Sequence, residues 1–149
     1  MTAAQPVTSI RRPDFFIVGA PKCGTTALYV YLKAHPQIFM PFLKEPHFFG
    51  RDLSSRYGRM TLADYLALFA GAKNDQRVGE ASSWDLYSRT AAREIKEFSA
   101  ADIIVIFRNP IDMMYAQHSQ LLFQRQEEIV DFKEALAAES ERRQGHRIP

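Results

Sequence analysis

Lys22 sits inside the loop G-A-P-K-C-G-T-T at residues 19–26, where residue types and spacing are suited to binding oxyanions. Gly19 and Gly24 let the backbone turn sharply and approach a ligand closely. Thr25 and Thr26 open the next element, so the first N–H groups of a helix point into the loop, where the dipole favours negative charge. An ammonium, two hydroxyls and these N–H groups together would hold phosphate-like groups. A second cation, Arg108, begins R-N-P at residues 108–110, after the apolar run I-I-V-I. A third cluster, K-E-P-H-F-F at residues 44–49, sets Glu45 and His47 beside two phenylalanines. A carboxylate and an imidazole in such a place can move protons.

The loop departs from the nucleotide triphosphatase pattern G-x-x-x-x-G-K-[ST], because its lysine lies within the loop and not after the second glycine. Those enzymes also use an acidic side chain to help hold Mg²⁺, whereas the run at residues 103–106 delivers Arg108. Two cations and no evident metal carboxylate point to an anion bound directly by the protein, with no metal. A P-loop-like nucleotide kinase or hydrolase is the alternative, and a non-catalytic remnant is another. Cys23 invites comparison with Cys-x₅-Arg phosphatases, but the sixth residue after it is Tyr29. Each cluster also has a purely structural reading. Asn109 suits a helix N-cap, Pro110 the first turn and Asp112 the dipole; Glu45 could pair with Lys44 or Arg51.

At these residues the chain resembles the sulfotransferases that use 3′-phosphoadenosine 5′-phosphosulfate (PAPS). P-K-C-G-T-T at residues 21–26 is similar to their phosphosulfate loop, and R-N-P to the strand end that binds the 3′-phosphate. E-P-H-F-F at residues 45–49 is similar to a segment of the glycosaminoglycan branch, where the glutamate is the base. The resemblance implies that Lys22, Cys23, Gly24, Thr25 and Thr26 hold the phosphosulfate and Arg108 the 3′-phosphate. It implies further that Lys22 stabilises the leaving group, with Glu45 as general base and His47 as runner-up base or orienting partner. PAPS is then the co-substrate, and a hydroxyl or amine of a small-molecule or carbohydrate acceptor takes the sulfuryl group. Three positions depart from the pattern. Ala116 stands where the family has a serine, with Ser119 one turn on. Gly50 replaces an aspartate, with Asp52 nearby. Ala81 follows Gly79-Glu80 where that branch has a lysine.

The elements needed to position these groups are legible around them. Residues 15–18 form a continuous apolar run, as expected of a parallel strand covered on both faces. Helices are expected over residues 26–34, from a capping box at Thr61 with the stripe Leu62, Tyr65, Leu66 and Phe69, over residues 91–98, from Pro110, and from Asp131 to before Gly145. Gly71 is expected to close the second of these. A short strand is expected within residues 78–84, and a second buried strand at Ile103. Alternating strands and helices predict an α/β fold, a P-loop-like parallel sheet flanked by helices, with ligands at the carboxyl ends of the strands. Phe48 and Phe49 are expected to supply apolar surroundings for Glu45.

The 149 residues are 46% hydrophobic, enough for one ordinary core. A formal charge of +2 argues against nucleic acid as a partner. A single cysteine excludes an internal disulfide framework, and no cysteine–histidine cluster suggests zinc. No apolar segment approaches membrane-spanning length, and residues 1–12 read as a flexible, polar lead-in with no signal peptide. A cytoplasmic protein is therefore expected. The family continues beyond R-N-P, so residues 13–149 read as the N-terminal half of a truncated sulfotransferase domain, missing a C-terminal half or a partner chain. A half-sheet would expose apolar edges.

Overall fold

The apolar run at residues 15–18 becomes the strand around which the sheet is built. In the computed structural model, which describes residues 11–53 and 58–149, β1 (Phe15–Gly19) is buried along its whole length. The lead-in expected over residues 1–12 falls outside the described residues up to residue 10. Arg11 donates to the Gln76 carbonyl at 2.6 Å, and Arg12 to the Phe98 carbonyl at 2.6 Å.

Three further strands complete the sheet: β2 (Ile38–Phe39), β3 (Arg77–Ala81) and β4 (Asp102–Val105), in the order β2-β3-β1-β4 and all parallel. The connections carry α1 (Thr25–Lys33), α2 (Leu62–Ala67) and α3 (Ala91–Phe98). Successive side chains of a strand face opposite sides. Phe16 and Val18 accordingly pack with Phe49, Tyr65, Phe69, Val78 and Ile95, while Phe15 and Ile17 pack with Tyr29 and Met40. This α/β architecture agrees with the sequence reading.

Particular expectations shift. The strand at Ile103 is not buried: among the described residues β4 pairs only with β1, and Ile103 is 50% exposed at the sheet edge. Leu62 is exposed, although Tyr65 and Phe69 of the same stripe are buried. Thr61 caps α2 by accepting from the Asp64 N–H at 3.2 Å. Gly71 does not close that helix, whose C-cap is Leu68. β2 went unread because two residues carry no periodicity.

Gly79 is where the backbone of β3 must come closest to its neighbours. A Cβ there would lie 2.2 Å from Phe15 Cζ and 2.5 Å from Met40 Sδ, both core side chains. Overpacking of this kind costs about 1–3 kcal/mol. Gly79→Ala is therefore expected to lower Tm by roughly 5–10 °C in thermal unfolding; an unchanged Tm would show that the core yields at no cost.

Residues Arg108–Pro149 form a second compact unit. Within it α4 (Pro110–Phe123) begins as the sequence predicts, with Asn109 Oδ1 accepting from the Ile111 N–H at 2.9 Å. The last helix is in fact two, α5 (Phe132–Ala137) and α6 (Glu139–Arg143), meeting at Ala138. Asp131 caps α5 through the Glu134 N–H. His118 is buried, its Nε2 2.8 Å from the Ile129 carbonyl, a packing role. Glu127 pairs with Arg142 at 2.7 Å. Ile111, Met114 and Tyr115 of α4 are exposed.

Candidate functional site

The loop after β1 is rooted by two backbone bonds. The Ala20 N–H donates to the Ile106 carbonyl at 2.9 Å, and the Ile106 N–H to the Gly19 carbonyl at 2.8 Å. Gly19 has φ +152°, and a Cβ on it would meet Leu86 Cβ and the Ser83 carbonyl, each at 2.8 Å. Close approach and conformation both demand glycine there. Gly24 is the N-cap of α1 in left-handed conformation. The first intrahelical bond runs from the Leu28 N–H to the Gly24 carbonyl, leaving the Thr25, Thr26 and Ala27 N–H groups at the open helix end. Thr61, Asn109 and Asp131 cap their helices with side chains, but α1 has no side-chain cap and no acidic residue in its first turn. That end suits an anion. Thr25 is buried, Thr26 exposed, and Lys22 and Cys23 half-buried.

Glu45 lies across the end of β3. Its N–H donates to the Ala81 carbonyl at 2.9 Å. Ser83 then grips its carboxylate twice, N–H to Oε2 at 2.8 Å and hydroxyl to Oε1 at 2.7 Å. Lys44 Nζ donates to Oε1 as well, so the ion pair read as Glu45's structural alternative does form. His47 Nε2 is 3.7 Å from Oε2, and the His47 N–H donates to the Ser82 hydroxyl at 3.2 Å. The following backbone is held by Arg59, whose guanidinium donates to the carbonyls of Gly50 (2.6 Å), Leu53 (2.7 Å), Phe49 (3.2 Å) and His47 (3.3 Å). Lys22, Glu45 and His47 all have positive φ, at 62°, 60° and 49°. In the first unit no other described non-glycine residue does. Such backbone costs of order 1–3 kcal/mol per residue and gathers at functional sites.

Phe48 and Phe49 do not surround Glu45; they turn into the aromatic core with Tyr65 and Phe98. Burial falls instead on two acids that the sequence reading passed over. Glu80 of β3 is fully buried, and burial, reinforced by the Asp85 charge, pushes its carboxyl up to about 8. Asp85 is pushed up to about 7 by burial and then by the Glu45 and Glu94 charges. A glutamate inside the buried run V-G-E-A was the available signal for the first. Nothing local marked Ser83 or Arg59. Asp52 does not take the place of the aspartate replaced by Gly50: it accepts from the Ser88 hydroxyl and the Arg89 N–H, which hold its carboxyl well below the usual range. Ser119 donates to the Tyr115 carbonyl of its own helix at 2.9 Å.

β1 and β3 are parallel neighbours, so the Gly19 loop and the Glu45 segment share the carboxyl edge of the sheet, where Ser83 touches both. Arg108 opens the second unit, exposed, directly before the Asn109 cap. A cavity of about 550 Å³ lies at the opposite strand ends, where Arg77 pairs with Asp102 and Arg11 with Asp14. Among the described residues no group of three or more His, Cys, Asp or Glu is placed to hold a metal ion, and no helix is long and apolar enough to cross a membrane.

Residues 13–97 match the sequence model of the sulfotransferase family. Human carbohydrate sulfotransferase 15 is 30% identical over 111 residues, covering 74% of this chain and 19% of that protein. Human heparan sulfate glucosamine 3-O-sulfotransferase 6 is 34% identical over 113 residues, covering 75% and 31%. In the solved structures, a sulfotransferase from Alicyclobacillus acidocaldarius superposes with a TM-score of 0.82 at 36% identity, over 93% of this chain and 61% of that one. The chain thus spans less than a third of each of these two human relatives.

Proposed function

The chain belongs to the sulfotransferase family, and from that premise we propose that it serves sulfuryl transfer from PAPS to a carbohydrate hydroxyl. The carbohydrate class is carried over from the names of its relatives. The observation that carries the reading is Ser83, which abuts the root of the anion loop and clamps the Glu45 carboxylate. That contact supports reading the loop as the donor site and Glu45 as the proton acceptor at one strand end.

The residues present fit such a donor. The uncapped N-terminus of α1, with Gly24 in open space and no acid in the first turn, offers N–H groups to non-bridging oxygens. Thr25 and Thr26 add hydroxyls, Cys23 a small side chain that leaves the loop room, and Lys22 a positive charge where negative charge accumulates. PAPS, when bound, supplies the activated sulfuryl group and leaves as adenosine 3′,5′-bisphosphate. Arg108 is the residue proposed for the 3′-phosphate, since a guanidinium makes paired bonds to phosphate.

Glu45 takes the proton of the acceptor hydroxyl. Oε1 already accepts from Lys44 and from the Ser83 hydroxyl, which occupies both its lone pairs. Oε2 accepts the Ser83 N–H and faces His47. The proton therefore goes to Oε2, with His47 orienting it.

Calorimetric titration tests the donor site, with adenosine 3′,5′-bisphosphate against 5′-AMP and no added metal. Preference for the bisphosphate by at least about tenfold is expected, as is a loss of about tenfold in Arg108→Lys. Equal affinity for both nucleotides would remove Arg108 and the 3′-phosphate from the reading.

A further inference from the structure

The segment that follows Ser83 presents two aromatic rings to solvent next to the proposed base. Trp84 is 42% exposed and Tyr87 74%, with ring centroids 6.2 Å apart and planes at 89°. Trp84 is the N-cap and Tyr87 the last residue of a single 3-10 turn, Asp85–Tyr87. That turn is tied down by the bonds Asp85 N–H to Ser82 carbonyl (3.1 Å), Tyr87 N–H to Trp84 carbonyl (2.9 Å) and Ser88 N–H to Asp85 carbonyl (3.2 Å). The Asp85 side chain is buried beneath it, and Leu86 packs against Gly19 at the root of the anion loop. The rings are therefore anchored at both sides: one residue from the clamp on Glu45, and one residue from the contact with Gly19.

Resting on the sulfotransferase reading above, we propose that Trp84 and Tyr87 form the acceptor platform, stacking on a pyranose ring of a polysaccharide whose hydroxyl reaches Glu45 Oε2. Large exposed aromatics on a rigid turn are unfavourable to solubility and contribute little to this core, but they suit a ligand with an apolar face. The C–H face of a pyranose, with its small positive charge, matches the negative face of an aromatic ring. Rings with two side-chain torsions on a tethered turn lose little freedom on binding. Trp84 is bonded directly to Ser83, which orients the Glu45 carboxylate, so the turn and the base are joined by a single residue. Two rings at right angles grip one face and one edge of a sugar, which selects a ring over a flexible chain alcohol.

Trp84 is the sole tryptophan of the chain, so its emission reports on the platform directly and needs no turnover. Unsulfated chondroitin hexasaccharide and N-acetylheparosan hexasaccharide are the probes. At least one is expected to change Trp84 emission saturably and to protect it from acrylamide. Tyr87→Ala is expected to weaken that sugar's binding about tenfold while Tyr87→Phe, which keeps the ring, binds as the parent chain does. Affinity for adenosine 3′,5′-bisphosphate stays within about twofold in both variants, which also shows that they fold. A chain that binds the bisphosphate but whose Trp84 emission neither sugar alters overturns the platform alone. Trp84 already shielded from acrylamide in the free protein overturns it too, since protein would then cover the rings. Sugar binding without bisphosphate binding overturns the donor reading and leaves the platform standing.

Discussion

Replacing Lys22 by alanine is expected to lower sulfuryl transfer by about 10²–10³-fold, the loss typical of removing one preorganised charge stabiliser. Lys22 is half-buried, with φ 62°, in the loop whose root is bonded to Ile106. Holding a lysine in that backbone region costs of order 1–3 kcal/mol, and backbone of this kind gathers at functional sites. An ammonium fixed before the reaction needs no reorganisation as charge builds on the leaving group. Lys22→Met retains the aliphatic stem and loses only the charge, so it should fall as far as alanine. Single-turnover assays with PAPS and an unsulfated oligosaccharide measure both variants. A loss below about tenfold would remove Lys22 from the chemistry and leave it a loop-shaping residue.

Glu80→Gln is expected to change the pH dependence of stability more than any surface substitution. Glu80 is fully buried; Tyr65 approaches Oε2 at 3.4 Å, and among the described residues Oε1 has no hydrogen-bond partner. Burial pushes Glu80 up to about 8 and Asp85 up to about 7, whereas unfolded carboxyls titrate near about 4. Between those limits the folded chain binds more protons than the unfolded chain. Stability from these two groups is then fully present below about pH 4 and declines as pH rises through 7 to 8. Glutamine keeps the shape and cannot ionise. At pH near 9 the variant should melt roughly 5–10 °C above the parent chain, and near pH 4 the two should coincide. Melting curves displaced by the same amount at every pH would mean that Glu80 acts through packing, not through its proton.

Local pattern was enough for the parts of this protein whose cause is local. The strand into loop 19–26, the Thr61, Asn109 and Asp131 caps, and α3 are set by apolar runs, glycine turns and capping side chains within a few residues, so they could be read without a neighbour in view. The types of chemical group at Lys22, Glu45, His47 and Arg108 were legible for the same reason, as was the family they resemble. The surroundings of those groups were not. Ser83 meets Glu45 across 38 residues of chain because β3 inserts between β2 and β1, which carries its carboxyl end under the Glu45 segment. That same insertion buries Glu80 at the sheet centre, while pairing on one side only leaves Ile103 at the edge. Arg59 finds the carbonyls of residues 47–53 only once that loop has folded back. Residue type and turn chemistry travel with the chain; burial, strand order and the partner of each carboxylate depend on which distant segments come to lie side by side.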